Sequence, residues 1–102
     1  MPLPAYLVGQ LRITDEAVFR SEYAPFPGPI QKKFGGRFLI RNDRVELLES
    51  VSCGPRLVCI EFPSLEAGRE YYYSQEYQQL APVRRRSCET TLILAEGYGG
   101  QG

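Results

Sequence analysis

No histidine and no tryptophan occur anywhere in this chain of 102 residues. Without histidine the commonest metal ligand and the usual proton shuttle near neutral pH are missing. A His-Cys zinc site, a Ser-His-Asp triad and a His-ligated haem are therefore excluded, and we expect neither metal nor cofactor. Net charge is missing too: Lys and Arg number 12, Asp and Glu also 12. A nucleic-acid binder normally shows a basic excess, so no such partner is expected, and weak charge repulsion leaves copies free to associate. The three cysteines, Cys53, Cys59 and Cys88, form no C-x-x-C pair, which reads as reduced thiols in a cytoplasmic protein. No apolar run approaches the roughly 20 residues that cross a bilayer. The start, "MPLPAYLVGQ", has neither a basic segment nor a long apolar one, so neither membrane nor signal peptide is expected.

What is present reads as one domain, residues 1–102, with an ordered core from about 5 to 97. "AYLVGQLRIT" alternates like a strand. "TDEAVFRSEY" opens with two residues able to cap a helix, and "APFPGPI" then breaks it, because each proline removes a donor and restricts its predecessor. A short helical stretch, "PIQKKF", leads to the pair Gly35-Gly36. A phosphate-binding loop runs strand, glycines, helix; here the glycines follow a helix and precede a strand, so they read as a helix end, with Gly36 left-handed. "RFLIR" is a second strand, "NDR" a turn, "VELLES" a hairpin partner or strand extension, "SCGP" a loop. "RLVCIEF" is a third strand, stopped by Pro63. Ser64 and Ser74 are placed to cap "LEAGREYYYS" and "QEYQQLAPVRRR", "ETTLILAEG" is the last strand, and "YGGQG" a frayed tail. This order is the split βαβ pattern of an α+β, ferredoxin-like βαββαβ fold, an antiparallel sheet with both helices on one face.

Strict alternation assigns Leu7, Gly9, Leu11, Ile13, Phe38, Ile40, Val58, Ile60, Phe62, Leu92 and Leu94 to the helix-facing side. The other side then carries Val8, Leu39, Leu57, Cys59, Ile93 and Ala95, fringed by Tyr6, Gln10, Arg12, Arg37, Arg41, Glu61 and Thr91. Those central residues are too apolar for water, and a charged rim around them reads as a protein–protein interface. Two such sheets face to face would make a homodimeric α/β barrel.

"GGRFLIR", "VCIEFPS" and "YYYSQEYQ" with the following arginine resemble the domain-of-unknown-function 1330 family (DUF1330), over about Tyr6 to Gly97. The resemblance implies the dimeric α/β-barrel superfamily. Its pattern covers Asp15, Gly35, Gly36, Arg37, Glu61, Phe62, Pro63, Ser64, Tyr72, Tyr77 and Arg84 of this chain. The superfamily includes cofactor-independent monooxygenases, polyketide cyclases, isomerases and haem enzymes, acting in a pocket between helices and sheet. The chain departs from the family pattern at Gly9 and Gly68, where a small residue such as alanine is usual, and at the irregular "PFPGP".

Glu61 with Arg37 or Arg41 is a candidate acid-base or substrate-anchoring set; an interface ion pair is the favoured reading. Arg84–Arg86 either grip an anion or, the preferred reading, form a solvated helix end. Cys59 reads as an inert buried thiol. At most two of Tyr71, Tyr72 and Tyr73 can enter a core. Gly9 and Gly68 each give up packing or helix propensity, about 1 kcal/mol for a mid-helix glycine. On facing surfaces they would leave a hole walled by Tyr71 and Tyr72, rimmed by Pro25–Pro29 and suited to a small apolar or aromatic ligand. Close helix–sheet packing is the competing explanation of the same glycines. Tyr72, Arg37 and Glu61 are thus the candidate catalytic residues, and Gly9, Gly68, Tyr71 and Tyr72 the candidate ligand-binding ones. Two functions follow: a cofactor-independent small-molecule enzyme or binder, or a structural or regulatory dimer with no ligand.

Overall fold

The computed structural model describes residues 2–49 and 55–99. Four strands, β1 (Ala5–Ile13), β2 (Arg37–Asn42), β3 (Arg56–Phe62) and β4 (Cys88–Glu96), form an antiparallel sheet in the order β2-β3-β1-β4. The long, alternating strands β1 and β4 pair along their whole length, from Ala5 opposite Glu96 to Ile13 opposite Cys88. β1 sits at the centre because it pairs with β3 on its other side, Leu7 facing Ile60. The result is a ferredoxin-like α+β fold with the helical crossovers on one side of the sheet.

The first crossover is irregular. Asp15 caps α1 (Glu16–Val18), its carboxylate accepting from the Val18 amide. The chain then widens into a π-helical turn, Phe19–Tyr23, closed by the Ala24 amide donating to the Phe19 carbonyl at 2.8 Å. α2 (Pro27–Lys32) follows. Its prolines lie in the first turn, where a missing N–H leaves no helical bond unmade. The second crossover is α3 (Leu65–Tyr73) and α4 (Gln75–Ser87). Ser64 caps α3 by accepting from the Ala67 amide. Ser74 serves both neighbours, accepting from the Tyr77 amide and donating to the Tyr71 carbonyl.

Three expectations need correction. Val45 to Glu49 of "VELLES" form no strand; β2 ends at Asn42, and the rest of that segment, Cys53 and the expected "SCGP" loop fall largely outside the described residues. The left-handed glycine is Gly35, at φ 79°, and not Gly36. Gly36 is glycine for a different reason: a Cβ there would lie 2.6 Å from the Phe62 ring. Third, β2 is not regular. Phe38 pairs with Ile60, but Ile40, and not Leu39, pairs with Cys59. Leu39 is the extra residue of a bulge, and side-chain direction reverses relative to strict alternation beyond it. Ile40 thus belongs to the outer face with Cys59, and Arg41 to the inner face with Val58.

The core lies between sheet and helices. Leu7, Leu11, Ile60 and Phe62 from the strands pack against Phe19, Tyr23, Tyr71, Tyr77 and Ala81. On the outer face Leu39, Ile40 and Ile93 are exposed, Ile93 by 55%.

Candidate functional site

The inner layer does not close completely. A cavity of about 50 Å³ remains between the sheet and the helical layer. Gly9, Val58 and Leu92 form part of its floor, and Phe19 and Tyr23 from the π-helical turn form one wall. The wider turn spaces Phe19 and Tyr23 so that both bury and stack at 5.4 Å. Tyr71 from α3 and Tyr77 from α4 complete the aromatic wall, their rings 4.8 Å apart. The Tyr23 and Tyr77 hydroxyls share a hydrogen bond of 2.8 Å. Ala24 and Pro27, from the proline-interrupted segment, also reach the lining.

Three arginines line the same cavity: Arg84 from α4, Arg56 from β3 and Arg41 from β2. No Asp or Glu is among the residues lining it. Arg84 is 6% exposed, and its Nε, like that of Arg56, is buried without a hydrogen-bond partner. Its backbone is held firmly: the Arg84 carbonyl accepts from Cys88 Sγ and Ser87 Oγ. The Ser87 carbonyl in turn accepts from the Thr14 and Asp15 amides, which ties the end of α4 to the start of the first crossover. The solvated helix end expected at Arg84–Arg86 is therefore correct only for the two exposed members, of which Arg86 pairs with Glu22. Arg84 points the other way because residues 77, 81 and 84 share one helical face, and that face is buried.

The phenols around Arg84 stay neutral. Burial first, then the neighbouring Tyr77, pushes the Tyr23 and Tyr71 hydroxyls well above the ordinary tyrosine range, with the Arg84 charge opposing. Tyr77 is likewise raised by burial. The cavity can thus donate hydrogen bonds and hold charge, but it presents no basic group poised to take a proton.

The other candidate residues lie elsewhere. Arg37 and Glu61 meet on the outer face, Arg37 Nε donating to Glu61 Oε1 at 2.8 Å, while the Tyr6 hydroxyl donates to Oε2 at 3.2 Å. The Arg37 hydrogen bond, chiefly, holds the Glu61 carboxyl below its usual range. Arg41 takes no part: the bulge turns it to the helix side, where it remains exposed at the cavity rim, stacks 4.7 Å from the Phe38 ring and donates to the Ala24 carbonyl. Cys59 is half-buried on the outer face, its thiol pushed up by burial and then by Glu61. Gly9 and Tyr71 line the cavity; Gly68 and Tyr72 do not. Gly68 is a site of close packing, since a Cβ there would lie 2.7 Å from Leu94. Tyr72 borders a separate open groove with Leu65, Arg69 and Leu94. Tyr71 is buried, Tyr72 intermediate and Tyr73 exposed.

The profile of the family described as Domain of unknown function (DUF1330) matches residues 4–98. The chain belongs to the DUF1330 family. No curated protein matches it. Among solved structures, a protein of unknown function from Rhodopseudomonas palustris, RPA0582, is similar in two crystal structures. Its methylated form shares 17% identity at a TM-score of 0.77, covering 100% of this chain and 86% of that one. The other form gives 17% identity and 0.72, covering 96% and 85%. SnoaB, a cofactor-independent oxygenase from Streptomyces nogalater, shares 12% identity at a TM-score of 0.67, covering 97% of each chain. At these identities the likeness establishes the fold.

Within this DUF1330 fold, two of the cavity-lining residues that sequence reasoning placed elsewhere are Arg84 and Arg41. Arg84 was legible in principle from its spacing to Tyr77 and Ala81. Arg41 was not, because nothing in "RFLIRN" marks the bulge. Among the described residues no three His, Cys, Asp or Glu side chains converge as a metal site requires, and no helix is long and apolar enough to cross a membrane.

Proposed function

We propose that this protein is a homodimeric α/β-barrel binder or enzyme for a small, mostly apolar, cyclic or aromatic molecule, held between helices and sheet without metal or cofactor. The carrying observation is the aromatic-walled cavity beside Gly9 and Tyr71. As it stands the cavity of about 50 Å³ has room for a water-sized group, so binding a ring widens it, and the proline-interrupted segment at Ala24 and Pro27 is the part of the lining with the fewest helical hydrogen bonds to break. The rings of Tyr71 and Tyr77 offer faces for a planar ligand, and their neutral hydroxyls can orient a carbonyl or hydroxyl. SnoaB carries out cofactor-independent oxygenation on a similar fold, which supports a cofactor-free reaction as one form of this reading. The exposed Leu39, Ile40 and Ile93, with half-buried Val8 and Leu57 between them, support packing of two sheets face to face, with the Tyr6–Glu61–Arg37 network at the rim.

The test is mass analysis of small molecules released by denaturing protein that was purified without added ligands, alongside sedimentation of the same sample. A stoichiometric organic molecule and a dimer at micromolar concentration are expected. A ligand-free monomer that also ignores a library of small cyclic compounds would overturn the reading.

A further inference from the structure

Arg84, Arg56 and Arg41 come from three different elements and line one cavity that has no carboxylate in its wall. The ion pairs Arg20–Glu16, Lys33–Glu76, Arg37–Glu61 and Arg86–Glu22 lie elsewhere. Asp43 and Glu16 border Arg56 from the neighbouring surface groove, yet neither forms an ion pair with it. A buried guanidinium without a counter-charge is costly, and native proteins pair such groups. Arg56 is half-buried beside Arg84, and Arg41, exposed and donating to the Ala24 carbonyl, stands at the rim. Arg41 stands opposite Val58, so Arg56, two residues along β3, is its diagonal neighbour on the same face. Water screens the repulsion at the exposed Arg41, so the demand for a counter-charge falls chiefly on the buried Arg84. The tyrosines cannot supply the negative charge, because their hydroxyls remain protonated.

We infer that the cavity is a site for a small organic carboxylate, its charged end received by Arg84 and Arg56 with Arg41 at the rim, and its cyclic apolar body lying against Tyr23, Tyr71 and Leu92, the closed volume of about 50 Å³ widening to admit the ring. This rests on the small-molecule reading above and narrows it to an anionic ligand. The planar guanidinium matches a carboxylate in two parallel hydrogen bonds. The unpartnered Nε atoms of Arg84 and Arg56 are donors left open for this purpose.

The experiment compares 4-fluorobenzoate with its neutral isostere 4-fluorobenzamide, by fluorine NMR titration of the intact wild-type protein, with acetate as a ring-free anion. Benzoate should bind at least about tenfold more tightly than benzamide, because hydrogen bonds to a charged acceptor are the stronger ones, and acetate should bind more weakly still. Arg84→Met, similar in volume, should weaken benzoate at least about tenfold, change benzamide little, and raise the thermal midpoint of the ligand-free protein, because an uncompensated buried charge is removed. Arg56→Met should show the same selective loss and serves if the first variant does not fold. Equal binding of benzoate and benzamide would overturn the anion site while leaving the small-molecule pocket standing. No binding of either at millimolar concentration would overturn both. Acetate binding as tightly as benzoate would remove the apolar body, and unchanged benzoate affinity in both variants would remove the arginines from the site.

Discussion

Gly35 and Gly36 are neighbours that serve different physical ends. Gly35 turns the chain at φ 79° after α2, a conformation that a residue with a Cβ resists. Gly36 has no such φ; it makes room for the Phe62 ring, which is fully buried and cannot step aside. Gly36→Ala should therefore destabilise by about 1–3 kcal/mol through overpacking, read from the midpoint of urea unfolding; a midpoint equal to wild type would mean the ring has room to move. The helix-end reading of this pair was accessible from its position between helical and extended segments. The separate reason for Gly36 was not, because it lies in Phe62, 26 residues away in "VCIEF". Glu61 carries a second residue-level prediction. Its carboxyl is held below the ordinary value by Arg37, so whatever the pair contributes is fully present above about pH 5 and lost as pH falls through the lowered value. The stability deficit of Glu61→Gln should accordingly be visible at neutral pH and shrink in acid. A deficit that grows toward low pH would contradict the pairing.

Elements were read well where a local rule decides them and poorly where pairing does. Asp15, Ser64 and Ser74 cap helices as their side chains suggest. Ser74 does more than cap: its hydroxyl also returns to the Tyr71 carbonyl at 2.7 Å and so fixes the bend between α3 and α4. That bend brings Tyr71 and Tyr77 together as the aromatic wall. Ser74→Ala should cost about 0.5–2 kcal/mol, and it should weaken ligand binding by loosening the wall. Thermal unfolding and the benzoate titration measure the two effects, and a variant unchanged in both would detach the cap from the site. The bulge at Leu39 shows the opposite case. Alternation along "RFLIRN" sends Arg41 outward beside Glu61, whereas one extra residue in the ladder turns it to the cavity rim. A bulge is specified by the register with β3, and no single strand contains that information. The π-helical turn is similar: its wide spacing depends on Phe19 and Tyr23 both finding space under the sheet.

At the scale of the whole molecule the two faces of the sheet have separate tasks. The inner face holds the core and the cavity; the outer face carries Val8, Leu39, Ile40, Leu57 and Ile93, the surface proposed above to meet a second copy. Composition and alternation made the outer face legible, since apolar side chains there have no helix to cover them. The cavity was half legible: Gly9 and Tyr71 lie on it, while Gly68 and Tyr72 belong to helix–sheet packing and a surface groove. A charge at the centre of the proposed interface, Ile93→Asp, should strand that charge in a dry contact and cost several kcal/mol of association, shifting sedimentation from dimer to monomer. A wild type already monomeric at micromolar concentration would end the barrel proposal. The central claim is that Arg84 is buried to receive a ligand. Its most direct measurement is a crystal structure of the protein purified without added ligand. The account predicts ordered non-protein density in the cavity, within hydrogen-bonding distance of Arg84 Nε. A cavity closed by its own side chains, with Arg84 paired to a protein carboxylate, would contradict it.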